Sequence, residues 1–455
     1  MEKKMIIERR ECAVSRGRLA AVAAVALACA IFAGEAGAAE LLTLERCEAE
    51  AAANNPGLKA AEKGRTAAEW RRAEAKSARL PKFTLSGSAV STDNPTISFM
   101  SVLNQERFDP AMMGSINDPG ATANFNARFG FEIPLSAGGA IRHGIRAARA
   151  AAGAAAHSEE DARRRARRSA RAAYFGAVVA EEKTEAAGAA LEAARAHAAL
   201  AASMRDAGLT VESDSLSAAA RLAEMEELKL TADNEAALAK AELLMAMGAY
   251  QGREIEVDRS ALERVEFDGA LEEYIESAMK NRPDLKAIEE AVKAASEAER
   301  IEAAAGRPTV GAAAHADVDR RRIGSGGGES WFAGVAANFS VYDGGRAGAR
   351  RAAARAERER LEWALEQARQ AAEMETRRAY YGASAAKKKM DAAARAVEQA
   401  EAAARIVNNR YANGLAVSVE VLSAEAELTR AKLRRLAALS EFVVGVETLA
   451  LAAGK

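Results

Sequence analysis

Asn124-Phe125-Asn126-Ala127-Arg128-Phe129-Gly130-Phe131-Glu132-Ile133-Pro134 alternates without a break. Phe125, Ala127, Phe129, Phe131 and Ile133 share one face, and Asn124, Asn126, Arg128, Gly130 and Glu132 the other. Side chains of a strand point to opposite faces in turn, so this reads as a β-strand with one apolar and one polar side. Three more stretches carry the same signature. Val310, Ala312, Ala314, Ala316 and Val318 alternate against Thr309, Gly311, His315 and Asp317. Trp331, Ala333, Val335, Ala337, Phe339 and Val341 alternate against Asn338 and Ser340, and Phe83, Leu85 and Gly87 begin a weaker strand. Each is about ten residues long, the length a tilted strand needs to cross a bilayer. They group into two hairpins, over 82–134 and 308–341, with the glycine-rich 320–329 as the turn of the second. A small soluble sheet with one buried face would show the same alternation.

Outward from the strands the chain changes character. Its prolines stand at 56, 81, 95, 110, 119, 134, 283 and 308, with none between Leu135 and Arg282 and none after Pro308. Proline is costly inside a helix, so the proline-free stretches can carry very long ones. The predicted helices run over Leu44–Ala78, Gly139–Met204 and Ser213–Met247, then Leu271–Ala305, Arg346–Arg410 and Ser418–Ala452. The two longest, of about 65 residues, would be roughly 100 Å long at the helical rise. No ordinary globular core needs that length, so coiled-coil packing is implied.

The two halves repeat. Ala173-Tyr174-Phe175-Gly176 recurs as Ala379-Tyr380-Tyr381-Gly382, Gly138-Gly139 as Gly344-Gly345, and Gly208-Leu209 as Gly414-Leu415, each 206 residues on. Asn55-Pro56-Gly57-Leu58-Lys59 matches Arg282-Pro283-Asp284-Leu285-Lys286 at an offset of 227. The 21-residue difference falls between Pro81 and Pro134, so the first hairpin has the longer connection. The organisation read from these offsets is a leader over 1–39, a first repeat over 40–266 and a second over 267–455.

The leader reading rests on Lys3, Lys4, Arg9, Arg10, Arg16 and Arg18, then apolar Leu19 to Gly34, then the small-residue site Ala36-Gly37-Ala38. An uncleaved N-terminal anchor, or a lipoprotein joined through Cys29, are the alternatives. With the leader gone Cys47 stands alone and no intrachain disulfide can form. The net charge is −1, from 64 Lys and Arg against 65 Asp and Glu, so no global field points to nucleic acid. Alanine dominates, with abundant Glu, Arg, Lys and Leu, as in long helices packed closely over small side chains.

Four strands cannot close a barrel alone. An open edge in hydrocarbon leaves backbone groups unpaired at several kcal/mol each, so several chains would have to pool their strands. The smallest single-chain barrels have about eight strands, which makes a dimer or trimer the minimum and does not choose between them.

The duplicated helix–hairpin–long helix–tip–helix layout resembles the TolC-type outer-membrane efflux proteins over nearly all of the chain after the leader. Leu42-Thr43-Leu44, Asn55-Pro56-Gly57-Leu58, the Gly-Gly turns after a strand, and Arg410-Tyr411-Ala412-Asn413-Gly414-Leu415 followed by Val419-Glu420-Val421-Leu422 carry the resemblance. It implies a mainly α fold with a small β part. In a homotrimer, a twelve-stranded barrel in the outer membrane would sit on an α-helical coiled-coil barrel in the periplasm. It also implies the exit duct of an efflux or type I secretion system, partnered by a periplasmic adaptor and an inner-membrane pump, with no cofactor. By the same resemblance the turns near Gly208 and Gly414 form the periplasmic entrance. Gly208, Leu209, Thr210, Gly414 and Leu415 are then the adaptor contacts. Glu420 would line the entrance as a ring of carboxylates, and Asp214 and Tyr411 would help hold it closed. The chain departs from the family's pattern at Ala416 and Ser423. Phe125, Phe129, Phe131, Ile133, Trp331, Val335 and Phe339 would face lipid. Phe99 to Gln105 and Asn117-Asp118-Pro119 are similar to an external loop insert of some efflux members.

Little else competes. Arg163, Arg167 and Arg171 form a stripe best read as a solvated or salt-bridged helix face. His143, His157, His197 and His315 lack metal-ligand spacing, the glycine run 324–328 is no phosphate loop, and no nucleophile motif appears, so no enzyme is expected. The alternative function is a periplasmic coiled-coil adaptor that bridges the membranes without conducting. It should carry soluble β-domains and one helical hairpin rather than two matched halves.

Overall fold

The computed structural model describes residues 40–249 and 252–455; the leader and Cys29 lie outside the described residues. The chain runs β1 (Glu40–Leu42), α1 (Leu44–Asn54), α2 (Pro56–Ser77), β2 (Lys82–Thr92), α3 (Pro95–Asn104), a 3-10 turn (Pro110–Ser115) and β3 (Thr122–Ala137). Then follow α4 (Ala140–Asp206), α5 (Glu212–Met247), β4 (Ile255–Val257) and a second 3-10 turn (Arg259–Arg264). The second half holds α6 (Leu271–Asn281), α7 (Pro283–Ala304), β5 (Thr309–Arg320), β6 (Gly327–Asn338), α8 (Arg346–Ala412) and α9 (Ser418–Ala452).

The two long helices have 67 residues each. Their buried positions are mostly alanine, among them Ala166, Ala170, Ala177, Ala187, Ala194 and Ala201 on α4 and Ala372, Ala379, Ala383, Ala386 and Ala404 on α8. Small side chains let helix axes approach closely along the whole length, which is what the alanine-rich composition encodes. Toward the sheet the packing order is α2, α4, α7, α8; toward the far end it is α5, α4, α9, α8. The molecule is therefore a curtain of helices with α2 and α5 on one edge and α8 on the other.

Two expected helices are broken. Leu44–Ala78 divides at Asn55-Pro56 and Leu271–Ala305 at Arg282-Pro283. Proline lacks an N–H and drives the residue before it out of the helical region, and Asn55 and Arg282 take nearly identical extended angles (ψ 121° and 120°). Asn55 turns the break into a cap: its side chain accepts from Leu58 N at 3.1 Å and its amide donates to Ala246 O at 3.1 Å.

At mid-height a belt forms where the aromatic repeat falls. β1 and β4, too short to show a periodicity of their own, pair as a small parallel sheet. Leu42, Cys47, Tyr174, Phe175, Val178, Leu243, Met247, Ile255, Val257, Phe442 and Val443 pack there as the largest core. The Tyr174 hydroxyl donates to the carbonyls of Asp258 and Leu42. Its repeat counterpart Tyr380 packs at a tilt against Phe267 and Tyr274, and its hydroxyl donates to the Gly269 carbonyl.

The four-stranded sheet is antiparallel in the order β2-β3-β5-β6. β6 lies four residues earlier than expected at its start, because Arg320 pairs with Gly327 and the second turn shrinks to 321–326. Phe339 and Val341 therefore fall beyond the strand, although both are exposed. β3 runs past Pro134 to Ala137, with a register shift between Pro134 and Ser136 that takes up the proline.

Candidate functional site: the helix tips and a two-faced sheet

The two tips have the same geometry. Gly208 and Gly414 take left-handed angles of φ +72° and +71°. Leu209 N donates to Met204 O and Leu415 N to Arg410 O, each at 2.8 Å. This is the glycine-terminated helix end in which the chain reverses while the last carbonyls stay satisfied. The reversal throws Leu209, Val211, Leu415 and Val417 outward, each more than 60% exposed. Thr210 Oγ1 donates to Asp214 Oδ2 at 2.7 Å in the first tip. In the second, Arg410 Nη2 donates to Leu415 O at 2.9 Å, and its Nη1 lies 3.5 Å from half-exposed Glu420.

Tyr411 is buried at the second tip. Its ring lies 5.4 Å from His197 and its hydroxyl 3.4 Å from Met204 Sδ, while His197 Nε2 is 3.2 Å from Ser418 Oγ. These four side chains tie the end of α4 to the second tip. Nothing local in the sequence marks His197, Met204 or Ser418 for these contacts, each of which spans more than 200 residues. The local signal for Arg410 as the carbonyl partner is its place beside Tyr411 and about one turn before Leu415. Among the described residues no hydrogen bond or ion pair joins Asp214 to Tyr411 or Glu420 within the chain.

The sheet brings both hairpins onto common faces. Register pairs Phe83 with Phe131, Leu85 with Phe129, Phe129 with Ala316, Ile133 with Ala312, Ala316 with Trp331 and Ala312 with Val335. Phe125 shares this face opposite Ala89. Phe83 stacks on Phe129 with ring centres 5.9 Å apart and meets Phe131 at a tilt, 5.3 Å away. The face is uncovered: Leu85, Trp331 and Val335 are 81%, 80% and 69% exposed. The opposite face is a polar lattice. Asn126 Nδ2 donates to Asp317 at 3.0 Å, Arg128 Nε to the same carboxylate at 2.7 Å, and Asn124 Nδ2 to Asp319 at 2.5 Å.

The arginine stripe of α4 is salt-bridged. Arg167 and Arg171 share Glu48 at 2.7 and 2.6 Å, Arg171 also holds Glu447, and Arg163 holds Glu159 at 2.9 Å. Among the described residues no three His, Cys, Asp or Glu side chains could hold a metal together, and no helix is long and apolar enough to cross a membrane.

Known proteins of similar fold share this layout. VceC, an outer membrane protein of Vibrio cholerae, is 22% identical, with a TM-score of 0.75 over 90% of this chain and 96% of that one. The CmeC outer membrane channel of Campylobacter jejuni is 18% identical (TM-score 0.77; 90% and 85% covered). The open state of the Neisseria gonorrhoeae MtrE outer membrane channel is 19% identical (TM-score 0.74; 90% and 88% covered). At such identities the likeness is one of fold. No curated protein sequence matches the chain. The family described as outer membrane efflux protein matches over residues 49–249 and 274–455, two segments that take in both long helices, both hairpins and both tips. The chain belongs to the outer membrane efflux protein family.

Proposed function

We propose that three copies of this chain close into one passive exit duct, with the sheets pooled as a twelve-stranded barrel in the outer membrane and the helices as a tube through the periplasm. The observation that carries this reading is the sheet itself: one uncovered apolar face and two open edges, β2 and β6. Burying a large apolar side chain is worth about 1.5–3 kcal/mol, so seating Phe83, Leu85, Phe129, Trp331 and Val335 in lipid is worth on the order of 10 kcal/mol per chain. The open edges can be satisfied in lipid only by the neighbouring copies. The helical curtain supports the same closure, since apolar residues stand exposed on both of its edges: Trp70, Leu216, Leu230 and Leu238 on α2 and α5, Trp363, Met374 and Ile406 on α8. Two unlike edges join head to tail, the kind of contact that makes a ring when the rotation between copies closes.

On this reading residues 40–266 and 267–455 are the two repeats. The polar lattice lines the lumen. Phe125, Phe131 and Ile133 join the lipid face, with Phe339 just below the end of its strand. Gly208, Leu209, Thr210, Gly414 and Leu415 meet a periplasmic adaptor, itself joined to an inner-membrane pump. Exposed leucines held on rigid glycine turns suit an apolar contact between helical tips. Glu420 forms a carboxylate ring at the entrance that favours cations. Tyr411 and Asp214 hold the tips in their packed arrangement. Two uncovered hairpin faces and two tips speak against the adaptor reading.

Membrane fractionation tests this. The protein is expected in the outer-membrane fraction as an oligomer that SDS separates into single chains, and its channels in planar bilayers are expected to lose cation preference on Glu420→Gln. Recovery as a soluble monomer from periplasmic extract overturns the duct; unchanged ion preference removes only Glu420 from the entrance.

A further inference from the structure

The connection between β2 and β3 does not extend away from the sheet. Asn94 caps α3 by accepting from Ile97 N at 3.2 Å, Pro95 starts the helix, and Ser98 Oγ returns to Thr92 O at 3.0 Å. At its end the chain lies down on the polar face. Gln105 is 2% exposed; its amide nitrogen donates to Ala123 O at 2.9 Å and to Asn124 Oδ1 at 2.8 Å, and its oxygen accepts from Arg107 at 2.9 Å. Asn124 in turn bonds Asp319, so the latch is continuous with the polar lattice. The segment also crosses to the far strand: a Cβ placed on Gly328 of β6 would meet the Asn104 carbonyl oxygen at 2.2 Å and Glu106 Cγ at 2.9 Å. Glu106 holds a left-handed φ of +55°, the only non-glycine residue among those described to do so. Such a conformation costs roughly 1–2 kcal/mol and persists where the surroundings impose it.

The connection has an interior of its own. Phe99 and Phe108 meet edge to face at 5.8 Å, and a cavity of about 190 Å³ lies among Phe99, Val102, Phe108, Met112 and Ile116, with Arg321 of the second turn on its wall. Both hairpin connections thus meet above the polar face.

We infer that residues 93–121 form a second constriction of the duct, a size-selecting eyelet at its outer mouth, latched to the lumen wall by Gln105 and the Asn104–Gly328 contact. This rests on the duct reading, which makes the polar face the lumen. Three copies would each carry a folded segment inward from the wall, so the width there is set by the connection and not by the barrel.

Ser86 on β2 pairs with Arg128 on the polar face and is exposed, six residues below Thr92, or about 20 Å at the strand rise. A Ser86→Cys chain, with Cys12 and Cys29 changed to Ala, reports passage through the mouth. Cys47 stays silent, since it is buried and that burial, with Glu50 beside it, pushes its thiol up to about 12. Assembled oligomers in proteoliposomes are labelled from outside with a small charged maleimide and with a bulky polyethylene-glycol maleimide. The bulky reagent should lag the small one strongly in the parent. It should gain roughly ten-fold relative to it when 93–121 is replaced by an Asn-Gly turn, and also in Gly328→Leu, which leaves the connection's own sequence intact. An unchanged ratio in both variants, or no lag in the parent, overturns the eyelet. Labelling of Ser86→Cys only by a lipid-soluble maleimide would put the polar face in lipid and end the duct reading instead.

Discussion

Glu50 shows how single residues hold the belt of this molecule. Arg253 donates to it at 2.8 Å and Arg46 at 3.2 Å, and the Arg253 hydrogen bond holds its carboxyl below the usual glutamate range. A depressed carboxylate stabilises the fold above its unfolded pKa of about 4.3, and that contribution is lost as pH falls through the lower folded value. Glu50→Gln should therefore lower the thermal midpoint at pH 7. The gap to the parent should narrow as the pH is taken below about 4. A gap of constant size across that range would show that the pair's charge is not what stabilises the belt. The repeated tyrosines act at the same scale. Tyr174 closes the belt core by donating to two carbonyls, and Tyr380 packs against a smaller cluster of Tyr274, Ala379, Ala383 and Leu449, so one duplicated motif supplies two anchors of unequal burial.

At the scale of elements, the sheet divides its labour between faces. Val335 lies on the apolar face opposite Ala312, and its neighbour Ala336 lies on the polar face opposite Gly311. An arginine on the lipid face of a membrane barrel costs about 2–4 kcal/mol at mid-depth and little on the lumen side. Val335→Arg is expected to cut the yield of assembled oligomer sharply while Ala336→Arg leaves it near normal, read by quantifying oligomer in the outer-membrane fraction. Equal losses would mean that the sheet has no lipid face. The broken helices follow the same local logic in both repeats, since each break sits at the residue before a proline and turns the chain where it passes the belt.

Across the whole molecule, function depends on height. The three tryptophans, Trp70, Trp331 and Trp363, are all more than 70% exposed in the single chain, and they stand at different levels. Trp331 lies within β6, whereas Trp363 is 17 residues down α8, about 25 Å along the helix. Single-tryptophan variants reconstituted with brominated lipid should show strong quenching for Trp331 and none for Trp363. The reverse pattern would place the helices in the bilayer and the sheet in water. Each 67-residue helix is about 100 Å long and carries the chain from the end of the four-stranded sheet to the tips.

Periodicity and proline spacing determined the element types, the four strands with their two-faced character, the near-exact length of the long helices and the duplication, because these are properties of neighbours along the chain. The family was legible from the order of those pieces. The tertiary structure alone decided the β1–β4 pair, the burial of Tyr411 against His197 and Met204, and the folding of Gln105 onto the polar face. It also set the start of β6, where glycines that read as turn enter the ladder once Arg320 has a partner. Each of those joins residues far apart in sequence, or chooses between local conformations of similar energy, and only the contacts made in the packed chain tip that balance.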